Sequence, residues 1–371
     1  MVPHFNKIAL LGHGRIGQAI KTYLQHEGYE VGAFDIRHQE GVEALDPVDQ
    51  SPAYFKAVIA PYDGVICATP YHLNLPIARA AIETGKAYFD LTEDISVAAH
   101  IREMAKVESS KPGHGLVWVT PQCGLAPGAV NMIANDTVSK FDSVTDINIR
   151  VGALPRTTNN QMKYYLTWSS EGLVNEYCNP CEALVNGKKV MLQPLEGYEE
   201  IVIDGVEYEA FNTSGGIGTL IDTLQTAKTT AQNINYKTMR YKGHRDLMAF
   251  LLQDLGMATR QDVLVDIFNR AIPQVTADVI VIFIQVTGFK NGALKALTYC
   301  RKIIGDDQFT AIQRTTAAGV CAVVHHWATR DWADSYNPAM EYWDKGCYIR
   351  SPEHIALSEL AGNPFWKVYE V

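Results

Sequence analysis

The sequence predicts an α/β protein in which a doubly wound parallel sheet is followed by a second domain with a mostly antiparallel sheet. Three observations carry that prediction. The first ~120 residues alternate short apolar runs with helical patterns, the order expected of βαβ units. The triplet Gly12, Gly14 and Gly17 stands directly between the first apolar run and the first helical pattern. From about Ser143 the apolar residues alternate with a period of two, and the chain breaks at Asp204-Gly205 and Asn291-Gly292, dipeptides suited to tight hairpins.

Each element follows from local pattern. Lys7 to Leu11 reads as a buried strand, and Ile16 to His26 repeats apolar residues at helical spacing through Ile16, Ala19, Ile20, Tyr23 and Leu24. Glu30 to Asp35, Gly64 to Ala68, Ala87 to Leu91 and Leu116 to Val119 continue the strands. In Asp146 to Val151, the residues Ile147, Ile149 and Val151 fall on one face of an antiparallel strand. Glu200 to Phe211 and Asp278 to Ile304 read as hairpins, and Phe309 to Thr329 as an apolar helix returning to the first domain. The expected division is 1–125 for the first domain, 126–308 for a substrate-binding and oligomerisation domain, and 309–371 for C-terminal helices and a tail.

Composition narrows the function. A chain of 371 residues with 47% hydrophobic and 20% charged residues can bury sizeable cores. Acidic side chains (41) exceed Lys and Arg (32), for a formal charge of −9 with no basic stripe, so no nucleic-acid partner is expected. The start of the chain has no charged leader, and the most apolar stretch, Val279 to Val286, is too short to span a bilayer. A soluble, cytoplasmic protein without a membrane partner is expected. Seven scattered cysteines suit reduced thiols. Cys178 and Cys181 have the spacing of zinc or redox sites, yet zinc requires two further ligands and no second C-x-x-C exists, so no metal is expected.

The chemistry-bearing residues begin with Gly12-His13-Gly14-Arg15-Ile16-Gly17. The first glycine allows the tight turn, the second lets backbone amides approach a pyrophosphate, and the third lets the helix pack closely. Asp35 ends the next strand, where a carboxylate accepts hydrogen bonds from ribose hydroxyls and repels a 2′-phosphate. NAD is therefore expected over NADP, while Ile36 and Arg37 follow, and the arginine admits NADP as a second choice. Ala68, Thr69 and Pro70 end another strand in the same crevice; His72 just beyond reads as a surface residue. Asp90 reads either as a helix cap or as a crevice residue. Cys123 and Gly124 open a Pro- and Gly-rich loop that suits an active-site floor. In the second domain, Trp168 lies in a polar-aromatic segment. Arg240, flanked by Tyr236 and Tyr241 and followed by His244 at a helix start, offers a planar fork for a carboxylate. His244, with Asp90 as second choice, is the expected proton-transfer group.

The glycine triplet, Asp90, Cys123-Gly124-Leu125-Ala126-Pro127-Gly128, Thr167-Trp168-Ser169 with Gly172, and Thr238-Met239-Arg240-Tyr241 with Gly243-His244 together resemble the saccharopine dehydrogenase superfamily. Within it they resemble the lysine 6-dehydrogenase-like and saccharopine reductase-like branch. The resemblance implies a Rossmann domain, an inserted α/β domain with an oligomerising sheet, and NAD(P)-linked oxidation at a carbon bearing nitrogen. Lysine or saccharopine is the substrate so implied, in a homodimer or homotetramer. Two other readings stand beside it: a non-catalytic NAD-binding sensor or structural oligomer, and a sugar- or inositol-type dehydrogenase. The latter usually carries Glu-Lys-Pro where this chain has Thr92-Glu93-Asp94.

Overall fold

The computed structural model describes residues 5–109, 117–275, 277–330 and 347–370. The chain divides into two compact units, Met1–Ala129 with Thr316–Glu370, and Val130–Thr315.

In the first unit, β1 (Lys7–Leu11) leads into α1 (Arg15–His26), β2 (Glu30–Asp35), β3 (Glu43–Ala44), α2 (Pro52–Ile59) and β4 (Gly64–Cys67). Next come α3 (Asn74–Glu83), β5 (Ala87–Asp90), α4 (Ile95–Ser109) and β6 (Val117–Thr120). With β15 (Cys347–Ile349) they build an all-parallel sheet of order β15-β6-β5-β4-β1-β2-β3. Strands β1, β4 and β5 are almost wholly apolar because helices cover both faces of such a sheet. Ile8, Leu10, Val65, Ile66 and Phe89 are fully buried, each worth ~1.5–3 kcal/mol of apolar transfer. Strand β15 was not foreseen: three residues beyond position 346 pair in parallel with Val117–Val119 and widen the sheet.

The second unit runs from α5 (Ala129–Val138), whose first residue belongs to the other unit, through β7 (Ser143–Pro155), α6 (Ser170–Cys178), β8 (Cys181–Val185), β9 (Lys188–Leu192), β10 (Glu199–Ile203) and β11 (Val206–Asn212). It continues with α7 (Leu220–Thr226), β12 (Asn233–Tyr241), α8 (His244–Ala249), α9 (Gln261–Ala271), β13 (Asp278–Lys290), β14 (Ala293–Ile304) and the start of α10 (Ala311–Thr329). Its sheet has the order β10-β11-β12-β7-β13-β14, with β8 and β9 attached to β12; only the β12–β7 pair is parallel. The α/β class and the mostly antiparallel second sheet are as the sequence predicts.

Both expected hairpin turns are present, with Asp204-Gly205 and Asn291-Gly292 each at positive φ throughout. A third, at Asn186-Gly187, joins β8 and β9. The period of two in β7 is real. Ile147, Ile149 and Val151 pair with Val286, Ile284 and Ile282 of β13, and all six are buried. Among the described residues no helix is long and apolar enough to cross a membrane, and no group of three or more His, Cys, Asp or Glu could hold a metal ion.

Candidate functional site

Each unit carries its own group of candidate residues. In the first, the turn after β1 is shaped by glycine. Gly12 has φ +97°, and a Cβ there would run into the backbone carbonyl of Ala68; a Cβ on Gly17 would run into the Gly12 carbonyl. A Cβ on Gly14 would meet only the end of the Arg37 side chain, at 3.6 Å. Two positions closed by backbone around one that meets only a flexible side chain fit the close approach of a pyrophosphate to the start of α1. The Gly12 N–H donates to the Phe34 carbonyl at 2.8 Å, which fixes the turn beside the end of β2.

Asp35 sits at that end, buried, and accepts from the His13 N–H and the Arg37 N–H, both at 2.9 Å. Arg37 folds back on it with Nε at 3.0 Å and a terminal nitrogen at 3.2 Å, although its own side chain stays mostly exposed. Burial raises the Asp35 pKa, but the Arg37 and His13 hydrogen bonds outweigh it and hold the carboxyl below its usual range. Arg37 is therefore an ion-pair partner of Asp35 and not a loose loop residue. Ile36 between them is 60% exposed. Thr69 and Pro70 follow β4 as expected, and His72 is exposed in the short helical turn before α3.

Asp90, fully buried at the end of β5, accepts from the Tyr88 hydroxyl (2.9 Å), the Thr92 N–H (3.1 Å) and the Gln122 N–H (2.8 Å). Its own carbonyl takes the Cys123 N–H at 2.9 Å. The residue thus ties the ends of β5 and β6 together and fixes the loop that opens at Cys123 and Gly124. Gln122 enters that loop at φ +63°, a strained conformation for a non-glycine residue. Burial pushes the Cys123 thiol far up, which leaves it a protonated, unreactive wall. Glu93 lies three residues beyond Asp90, in the Thr92-Glu93-Asp94 segment. Burial, with Asp94 and Asp90 nearby, pushes its carboxyl up to about 7. The available signal was three acids within five residues at a strand end.

In the second unit, Arg240 and His244 are brought together. Strand β12 alternates, so Tyr236, Thr238 and Arg240 share one face. Gly243 at φ +102° turns the chain into α8, whose first turn is capped by Glu209 accepting from the Gly243 N–H (2.8 Å) and the Arg245 N–H (2.5 Å). This turn places His244 against Tyr177 and Tyr164, with ring centroids 5.9 and 5.3 Å away. Arg240 lies over the same two rings, 5.1 Å from Tyr164 and 5.8 Å from Tyr177. It is 2% exposed and donates to the Met239 carbonyl at 2.9 Å, while its Nε–H is buried without any hydrogen-bond partner.

His244 Nδ1 lies 2.8 Å from the Met162 carbonyl and Nε2 lies 3.2 Å from the Tyr177 hydroxyl. A neutral ring satisfies both contacts by donating from Nδ1 and accepting at Nε2. Burial, reinforced by Arg240, holds its pKa down to about 3. Trp168 packs half-buried against the apolar cluster that includes Tyr164 and Tyr177. Tyr241 alternates to the opposite face, where its hydroxyl donates to the Pro155 carbonyl and its ring stacks on Tyr208. Cys178 and Cys181 span the end of α6 and the start of β8, and burial pushes their thiols up to about 11 and about 12.

Residues 124–331 match the model of the saccharopine dehydrogenase C-terminal domain, more than half of the chain. The chain belongs to the saccharopine dehydrogenase family. Among curated relatives, the mitochondrial alpha-aminoadipic semialdehyde synthases of Mus musculus and Bos taurus are 23% and 25% identical over 279 and 278 residues. These matches cover 69% and 68% of this chain but only 29% and 28% of the relatives' length. Among solved structures, apo saccharopine dehydrogenase (L-Glu forming) from Saccharomyces cerevisiae superposes with a TM-score of 0.71 at 16% identity. That superposition covers 98% of this chain and 96% of the other, so the family fold extends through both units.

Proposed function

We propose that the protein is an NAD(P)-dependent oxidoreductase acting on a carbon–nitrogen bond of an amino acid, with lysine or saccharopine as the leading substrates. The observation that carries this reading is Arg240: a guanidinium held between two tyrosine rings, buried, with an Nε–H that nothing accepts. An unpaired donor on a buried charge costs several kcal/mol unless an anion arrives to take it. The nearest strand partner, Glu209, spends its carboxylate on α8. A substrate carboxylate is the anion that fits, received in the bidentate geometry a guanidinium favours.

A nicotinamide held at the Gly12 turn would supply the hydride acceptor. Gly12, Gly14 and Gly17 admit the pyrophosphate, and Asp35 takes the ribose hydroxyls once Arg37 swings aside. Arg240 fixes the substrate by its distant carboxylate, which is an entropic contribution to rate. His244 stays neutral and orients the Tyr177 hydroxyl in the cage. Asp90 holds the loop after β5 through the Thr92 and Gln122 N–H groups. Loss of hydride and proton leaves an imine, which water converts to a carbonyl. The test is NADH formation by the purified protein with NAD and a panel of amino acids headed by L-lysine and saccharopine. Cofactor binding without oxidation of any of them favours the sensor reading instead.

A further inference from the structure

The acceptor sites of the Asp35 carboxylate are all taken. Oδ1 accepts from the Arg37 backbone N–H at 2.9 Å and from Arg37 Nε at 3.0 Å, while Oδ2 accepts from the His13 backbone N–H at 2.9 Å and from Arg37 Nη2 at 3.2 Å. An ionised carboxylate offers about four lone-pair sites, so two backbone donors and two guanidinium donors fill it. The backbone donors are fixed in place. His13 lies in the glycine turn, and Gln39 ties the chain beyond Arg37 to it, with Oε1 2.9 Å from His13 Nδ1 and Nε2 donating to the His13 carbonyl at 3.3 Å. The guanidinium is the movable pair of donors, because the Arg37 side chain is 64% exposed against 8% for that of Asp35.

A ribose diol needs the two acceptor sites that the guanidinium holds. Its two O–H groups and the arginine fork present the same pattern, one donor to each carboxylate oxygen, so the side chain copies the ligand and excludes it. The fork also reaches over the approach to the turn: Nη2 lies 3.6 Å from where a Cβ on Gly14 would stand, between the closed positions of Gly12 and Gly17. We propose, resting on the nicotinamide-nucleotide reading of the Gly12 turn, that Arg37 is an internal competitor of the cofactor's adenosine ribose and sets specificity by lowering affinity for NAD more than for NADP. NAD must push the guanidinium into solvent, and only molecules with it displaced are competent, so apparent affinity falls by that fraction. A 2′-phosphate replaces one of the diol hydroxyls and gives the displaced guanidinium a new partner. A cation beside a phosphate-binding turn ordinarily strengthens the binding of any nucleotide, whereas competition has the opposite sign for NAD.

Titration calorimetry on the full chain compares the parent with Arg37→Ala and Arg37→Lys, using NADH, NADPH, adenosine 5′-monophosphate and adenosine 2′,5′-bisphosphate. The two mononucleotides carry no nicotinamide and report the ribose end alone. Arg37→Ala should bind NADH and adenosine 5′-monophosphate roughly three- to tenfold tighter than the parent does, although it has lost a positive charge. The advantage of these ligands over their 2′-phosphorylated counterparts should widen on the order of tenfold. Arg37→Lys, whose ammonium cannot fork across both oxygens, should fall between the two proteins. Equal or weaker NADH binding by Arg37→Ala overturns the proposal, and so does an unchanged ratio between the two classes of nucleotide; either result leaves the cofactor reading standing. Binding of no nucleotide by any of the three proteins overturns the cofactor reading and the competitor role with it.

Discussion

Under the proposed function, Asp35 and Arg37 are the residues that set the cofactor preference of the Gly12 turn. In the free protein they neutralise each other, so ribose recognition requires the pair to open. Arg37 is exposed but Asp35 is buried, so opening the pair leaves a carboxylate held by the His13 and Arg37 backbone N–H groups, ready to accept from ribose hydroxyls. With the arginine displaced, Asp35 favours NAD through the ribose diol and repels a 2′-phosphate. Fluorescence titration with both cofactors should show tighter NAD binding, and Asp35→Ser should narrow or reverse the preference; tighter NADP binding by the parent would count against the assignment. Glu93 gives a second residue-level test. Its folded-state pKa of about 7 is above that of an unfolded glutamate, so the native state binds the extra proton and loses stability as pH rises from about 4.5 to 7. Glu93→Gln removes that loss. Denaturant unfolding at pH 8 should show the variant more stable by about 1–3 kcal/mol, with little difference at pH 4.5.

Elements governed by local stereochemistry were legible in the sequence. The glycine turn, the period-two alternation of β7, and the Asp204-Gly205 and Asn291-Gly292 hairpins each follow from backbone rules that act within a few residues. The β8–β9 hairpin is equally legible, through Asn186-Gly187 at positive φ. Strand β15 was not, because three residues become a strand only when β6 offers an open parallel edge. Site residues divide in the same way. The sequence singles out Arg240 by its flanking aromatics, but the rings it lies over, Tyr164 and Tyr177, are brought to it by tertiary packing from distant segments. The same alternation that aims Arg240 into the cage turns Tyr241 away from it. Burial, which spacing cannot reveal, makes His244 a neutral positioning group and raises the Glu93 carboxyl.

At the scale of the whole molecule, the second sheet leaves one long side open. Strand β14 is exposed over most of its twelve residues, with Leu294 at 63% and Ile304 at 51%, and among the described residues no strand covers its outer edge. We expect a second copy to cover such a surface, giving a dimer or tetramer. Light scattering at micromolar concentration should return a multiple of ~41 kDa, and the monomer mass would contradict it. The central claim, that Arg240 anchors a substrate carboxylate for oxidation at the amine-bearing carbon, is tested most directly by Arg240→Lys. With the amino acid that the panel identifies, kcat/KM should fall on the order of 10²-fold, about 2.7 kcal/mol, because the charge is kept and the planar fork lost, while NAD affinity stays unchanged. Turnover equal to the parent's would contradict the account.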